Sequence, residues 1–371
     1  MNGITSSFDR LTLLVRVAAF LGLVGAGNAS FGQGCMATRV SPPMVDVEES
    51  SQYLQPGEWE TSESFRHYVS HRHFHDYNEE VVPANAPRVM RTIVDTAITR
   101  MLTNWLSVTL DIPYQWGSFD RSPIPPHTGS NDKASGLGDL ALTFRRWMLD
   151  PATHPNGNFS LGLGLKAPTG DYHQETNRLV NTAPPGSTPN LVWMRGPADI
   201  AIQPGDGGWG VILGAQGFQQ IVGSMMAYGE LTYLSNPRGN NGSNNQWSGA
   251  GPYVPDPVTS VPDYFLARAG FAYGNPLGWH NGSVQLGMRA EGQPIHDIIG
   301  NSSGFRRPGC TISVEPGVAY GFGKWTAFFS LPVTVYRIRW KSVDEERAGR
   351  RLAVTAAFAD YNFIGGFTRR W

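Results

Sequence analysis

Between Asn104 and Trp116 the chain alternates without a break. Leu106, Val108, Leu110, Ile112, Tyr114 and Trp116 are separated by Ser107, Thr109, Asp111, Pro113 and Gln115. Successive side chains of a strand point to opposite faces, so this stretch specifies a strand with one apolar and one polar face. The pattern recurs. In Ser135–Tyr172, Leu140, Leu142 and Phe144 share a parity, and after the turn DPATHPNGN so do Phe159, Leu161, Leu163 and Leu165. Counting from Trp59, twelve such runs follow one another. Besides the run at Asn104 and the two arms of that hairpin they are Trp59–Phe74, Arg88–Thr99, Gly208–Gly217, Met225–Leu234, Asp263–Gly274, Gly282–Glu291, Cys310–Tyr320, Trp325–Arg337 and Phe358–Trp371.

The connections sort into two kinds. Long ones, rich in Asn, Gly, Ser and Pro, follow the odd runs, at about 75–87, 117–136, 168–207, 235–262, 292–309 and 338–357. Short ones follow the even runs, at about 100–103, 149–157, 218–224, 275–281 and 321–324. Short turns at one end and long loops at the other are the pattern of an outer-membrane barrel, with both chain ends on the periplasmic side. Tryptophans fall at run ends (Trp105, Trp116, Trp147, Trp209, Trp325, Trp340, Trp371), where interfacial girdles would sit. The expected fold is all-β: an antiparallel up-and-down transmembrane β-barrel of about twelve strands over residues 59–371, in a bacterial outer membrane. A soluble sandwich with a Trp-rich core is the rival. A mean hydropathy of −0.26 and no apolar run of about 20 residues after residue 30 exclude a helical membrane protein. A net charge of −1 speaks against a nucleic-acid partner.

The N-terminus carries Arg10 and Arg16 about an apolar run from Leu11 to Val24, then small residues. Residues 1–32 read as a signal peptide, cut between Ala29 and Gly34. Cys35 follows, but the preceding GQG lacks the Leu of a lipoprotein box. With Cys310 the only other cysteine, no disulfide framework is implied. Residues 33–58 show no periodicity and read as an irregular segment, outside the barrel or folded into it as a small plug.

Lysine or arginine facing lipid at the bilayer midplane costs about 2–4 kcal/mol, so the polar parity belongs in the lumen. It includes Arg66, Tyr68, Asp95, Asp111, Asp139, Arg145, Lys166, Tyr228, Glu230, Tyr264, Arg268, Arg289 and Glu315 as candidate lumen and solute-path residues. A twelve-stranded barrel is wider than the eight-stranded case that side chains fill, which favours a narrow channel for small solutes. A barrel closed by structural ion pairs is the alternative. His67, His71, His73 and His75 share the outward parity of Phe65 and Val69. Imidazoles two apart on a strand can share a metal ion, making His71, His73 and His75 weak metal candidates; a polar collar is the plainer reading. No GxSxG, HExxH or P-loop is present, and His67 has no convincing serine partner. Neither enzyme activity nor a cofactor is expected.

SGLGDLALTFRRWML followed by NFSLGLGLKAPTGDY resembles the outer-membrane transporter-like barrels grouped with the meta-pathway phenol-degradation proteins, through a GLGD strand start (Gly136–Asp139) and a GLGxKxPTGD strand end (Gly162–Asp171). The C-terminal strand ending in Trp371 resembles theirs, which implies recognition by the outer-membrane assembly machinery. The resemblance implies a Gram-negative outer-membrane barrel that passes small hydrophobic or aromatic compounds across the bilayer. A non-transporting surface barrel acting through its long loops, or a lipid-acting enzyme, are the other readings.

Overall fold

The computed structural model describes residues 53–81, 88–121, 130–181, 188, 190–244 and 258–371. The expected signal peptide, Cys35 and residues 33–52 lie outside these.

Twelve antiparallel strands close into a barrel. They are β1 (Trp59–His75), β2 (Arg88–Met101), β3 (Leu106–Arg121), β4 (Ser130–Leu137 and Leu140–Trp147), β5 (Gly157–Ala167) and β6 (Gly210–Val222). The remainder are β7 (Met225–Ser235), β8 (Tyr264–Gly274), β9 (Gly282–Gln293), β10 (Gly309–Phe322), β11 (Trp325–Ser330 and Val333–Arg339) and β12 (Ala356–Arg370). Each pairs with its chain neighbour, and β12 closes on β1 from Glu60↔Arg370 to Phe74↔Ala356. Closure matters because an unpaired strand edge in hydrocarbon leaves backbone groups without partners. All twelve runs expected from the alternation are present.

The two faces separate as the alternation requires. On β5, Phe159, Leu161, Leu163 and Leu165 are exposed, while Asn158, Ser160 and Lys166 are buried. Exposed leucine, phenylalanine and valine continue around the wall through Leu213, Phe271, Leu286, Met288, Val335 and Phe363. Such a surface would be a liability in water and is what lipid tails solvate. The apolar parity therefore faces the membrane. Exposed Trp59, Trp209, Trp279 and Trp371 lie at strand ends, as interfacial rings do, whereas Trp116 lies within β3.

Three expectations are corrected. Trp147 does not join a girdle: it points inward, edge-on to Tyr53 at 5.1 Å and beside Phe218. The histidines of β1 do not share one face. Register shifts between Tyr68 and Ser70 and between Ser70 and Arg72 break the parity, so His73 is buried while His67 and His71 are half-exposed. A β-bulge adds a residue and turns the following side chains. The connection at 117–136 is mostly strand, because β3 and β4 stay paired out to Arg121↔Ser130.

The other long connections also carry structure. Glu175–Asn181 pairs with Leu191–Pro197, and Asn240–Asn244 with Val258–Ser260. The connection before β12 holds α1 (Val343–Arg347), where Ser342 accepts from the Glu345 backbone N–H and the Glu345 carboxylate accepts from the Ser342 N–H. That reciprocal cap is written in the sequence as Ser-x-x-Glu.

Candidate functional site

The GLGD segment is a β-bulge. Tyr114 pairs with Leu137 and Asp111 with Ala141, so Ile112 and Pro113 of β3 face Gly138, Asp139 and Leu140 of β4. Pro113 has no N–H to continue the ladder. Its carbonyl accepts from the Gly138 N–H at 2.8 Å, and a Cβ at Gly138 would collide with the Pro113 ring. The extra residue reverses the parity of β4. Asp132 and Ala134 are buried before it; Asp139, Ala141, Thr143 and Arg145 face the lumen after it.

The PTGD segment locks this bulge. The Thr169 hydroxyl donates to the Gly138 carbonyl and accepts from the Leu140 N–H, both at 2.9 Å. One side chain thus satisfies two backbone groups that the bulge leaves without ladder partners. The Gly170 N–H donates to Asp139 Oδ1 at 3.0 Å. Lys166 Nζ donates to Asp139 Oδ2 at 3.0 Å and also to Asp206 Oδ1. The Gly205 N–H donates to the Asp171 carbonyl at 3.0 Å. Gly170 and Gly205 pack backbone on backbone, so a Cβ on either would overlap the other.

These contacts seat Ala198–Asp206, the end of the connection before β6, inside the barrel. Ile202 is fully buried in an apolar cluster with Ala198, Ala201, Val89, Phe119 and Ala134, and lies against Gly117. Arg91 donates to the Ala201 carbonyl at 3.0 Å, and Gln115 Nε2 to the Gln203 carbonyl at 3.0 Å. Arg307 grips Asp199 with two bonds of 2.9 Å. The paired guanidinium–carboxylate fork is among the stronger neutralising contacts available to buried charges.

The loop separates two spaces. A chamber of about 180 Å³ lies against the inner faces of β2–β7, with Asp95, Asp111, Asp139, Arg145, Lys166 and Tyr264 in its lining. Pro113, Ile200, Ile212 and Leu234 give that chamber apolar surface. A vestibule of about 50 Å³ lies among the extracellular connections, lined by Tyr172, Asn241, Ser243, Phe305 and Arg306 among others. Both spaces share Ile200, Gln203, Gly205, Asp206 and Tyr264 as a rim. At the periplasmic end, Tyr53 packs inside with Met101, Trp147, Phe218 and Met226, and its hydroxyl donates to the His154 carbonyl at 2.7 Å.

The other part of the lumen is filled. Arg66 pairs with Glu291, Arg289 with Glu291 and Glu315 at 3.2 Å each, and Arg268 with Glu315 and Glu230 at 3.8 and 3.7 Å. Arg66 lies over the Tyr68 ring and Arg268 over Tyr228, at 5.4 and 5.5 Å. All thirteen sequence candidates are therefore inward, but they fall into two groups. Six line the chamber; Arg66, Tyr68, Tyr228, Glu230, Arg268, Arg289 and Glu315 belong to the packed ladder. Asp199, Asp206, Arg307 and Tyr53 were not among the candidates. Asp206 closes QPGD, the same turn type as PTGD. Among the described residues no three metal-ligating side chains come together, and His71 instead contacts Asp360 at 3.4 Å.

A family model described as "Putative MetA-pathway of phenol degradation" matches residues 85–184, which contain both the bulge and its lock. Among solved structures, the chain is similar to an outer membrane channel from Pseudomonas putida F1, with 14% identity over 88% of this chain and 100% of that one, at a TM-score of 0.55. It also aligns with the CymD monoaromatic hydrocarbon channel (10% identity, 94% and 95% covered, TM-score 0.44) and the β domain of the Bordetella autotransporter BrkA (12%, 86% and 100%, TM-score 0.42). No curated protein matches the chain. Residues 85–184 thus carry the signature of the family described by phenol degradation, inside a barrel with the fold of the outer membrane channel.

Proposed function

We propose that this protein is a passive outer-membrane channel for small solutes, apolar or aromatic in character. The observation that carries the reading is the chamber itself, parted from the vestibule by Ile200, Gln203, Gly205, Asp206 and Tyr264, inside a barrel whose outer wall faces lipid. The chamber offers apolar surface with a few polar groups, the usual make-up of a small-molecule site. Asp95, Asp111, Asp139, Arg145, Lys166 and Tyr264 line the path; the ladder residues stiffen the wall beside it. The solved relative is named an outer membrane channel and the matched family is described by phenol degradation, which supports both halves of the proposal.

In the same reading, residues 1–32 direct export, and β12 with Trp371 is the strand that the assembly machinery recognises. Reconstitution tests the channel: stepwise conductance in planar bilayers, with swelling of protein-loaded liposomes in small uncharged solutes, is the expected result. Neither conductance nor swelling from protein that shows the folded gel shift would overturn it.

A further inference from the structure

Lys166 sits at the boundary between the two spaces, between carboxylates from two different elements. Asp139 comes from the bulge of β4 and Asp206 from the loop that crosses the lumen. The three side chains are largely withdrawn from solvent, at 8%, 10% and 20% exposure for Lys166, Asp139 and Asp206. Asp206 lines both spaces, while Lys166 and Asp139 line the chamber directly beneath. A further link ties the two carboxylates, since the Asp206 N–H donates to Asp139 Oδ2 at 3.3 Å. The group carries one positive and two negative charges, and its cation joins the Gly205 N–H to Asp171 and Asp206 N–H to Asp139 bonds in tying the loop end to the wall.

We propose that Lys166 is the specificity-determining residue of the passage, setting both its aperture and its charge selectivity by clasping Asp206 and Asp139. The inference rests on the channel reading above. With the clasp closed, the ammonium offsets the carboxylates, the loop end stays against the wall, and a hydrated ion meets a narrow, nearly compensated rim. Uncharged solutes lose no hydration shell of comparable strength on passing it. With the ammonium gone, two carboxylates face the rim and repel each other. The loop end then loses one of its ties and the rim becomes a cation-attracting ring, as rings of carboxylates are in other pores.

The test compares wild type, Lys166→Met, Asp206→Asn and the triple variant Lys166→Met/Asp139→Asn/Asp206→Asn in planar bilayers with a potassium chloride gradient. Folding is checked by the gel shift of unboiled protein. Lys166→Met is expected to raise unit conductance about twofold or more and to move the reversal potential towards potassium. The triple variant keeps the raised conductance and loses the potassium preference. Asp206→Asn breaks one link at constant volume and raises conductance without the preference, which keeps the test decisive if Lys166→Met does not fold. Wild-type conductance and selectivity in folded Lys166→Met, or unchanged conductance in Asp206→Asn, would overturn the proposal while leaving the channel intact. A wild type that neither conducts nor passes uncharged solutes removes the channel, and the clasp with it.

Discussion

The two sides of the lumen use the same residue types to opposite ends. On both, arginines and carboxylates occupy the inward parity, and on both a glycine row lies among them. On the β8–β9 side the space over Gly270 and Gly287 is taken by the Tyr228 ring, whose hydroxyl a Cβ at either position would strike. The neighbouring Arg268, Arg289, Glu291 and Glu315 then close into a ladder. On the β5–β6 side, Gly162 and Gly214 pair across the strands, and the nearest group over both is the Arg145 guanidinium. No aromatic ring enters, and the chamber remains. Whether a barrel of this width is solid or hollow is decided locally, by what lies over its glycines. One wall is packed solid and the other leaves a cavity.

The contrast is broken most severely at Glu315. Its carboxylate neutralises both Arg268 and Arg289, and Arg289 is fully buried. Glu315→Ala removes a carboxylate from two buried guanidinium groups, leaving Arg268 with Glu230 and Arg289 with Glu291, and is expected to cost about 3 kcal/mol, read as a fall in the urea midpoint of barrel unfolding in micelles. The chamber side should tolerate a comparable loss of charge better.

The glycines sharpen it further. Gly270→Ala places a methyl against the Leu286 carbonyl and the Tyr228 hydroxyl, and an overpacked site costs about 1–3 kcal/mol. Gly214→Ala meets only the mobile end of Arg145 and should change stability by less than about 0.5 kcal/mol. Equal losses in thermal unfolding would erase the distinction between filled and open walls.

How much of this was legible in the sequence follows from the same physics. Strand number, facing and the inward set were written in period-two alternation, because lipid punishes any error in it. Asp139 and Lys166 were visible for the same reason. What alternation cannot encode is a change of parity. The bulges on β1 and β4 turned His73 and placed Asp139 next to Gly170, and Trp147 went inward because Tyr53, from outside the strands, gave it a partner. The loop across the lumen was hidden too. Its anchors Asp199 and Asp206 bind Arg307 and Lys166, which lie 108 and 40 residues away in the chain.

Two smaller effects complete the series. Thr169→Val removes the hydroxyl that satisfies the Gly138 carbonyl and the Leu140 N–H, and should cost about 1–2 kcal/mol while loosening the β4 bulge. Tyr53→Phe loses the hydroxyl that donates to the His154 carbonyl, about 0.5–1.5 kcal/mol, leaving the ring against Trp147. Both are checked by equilibrium unfolding in micelles.

The most direct test of an open chamber is the swelling rate of liposomes carrying wild type or Gly214→Trp in a small uncharged aromatic solute. An indole at position 214 would occupy the chamber as Tyr228 occupies the opposite side. The account predicts a folded Gly214→Trp barrel, with an unchanged gel shift, that passes solute far more slowly than wild type. Equal swelling rates for the two would contradict it.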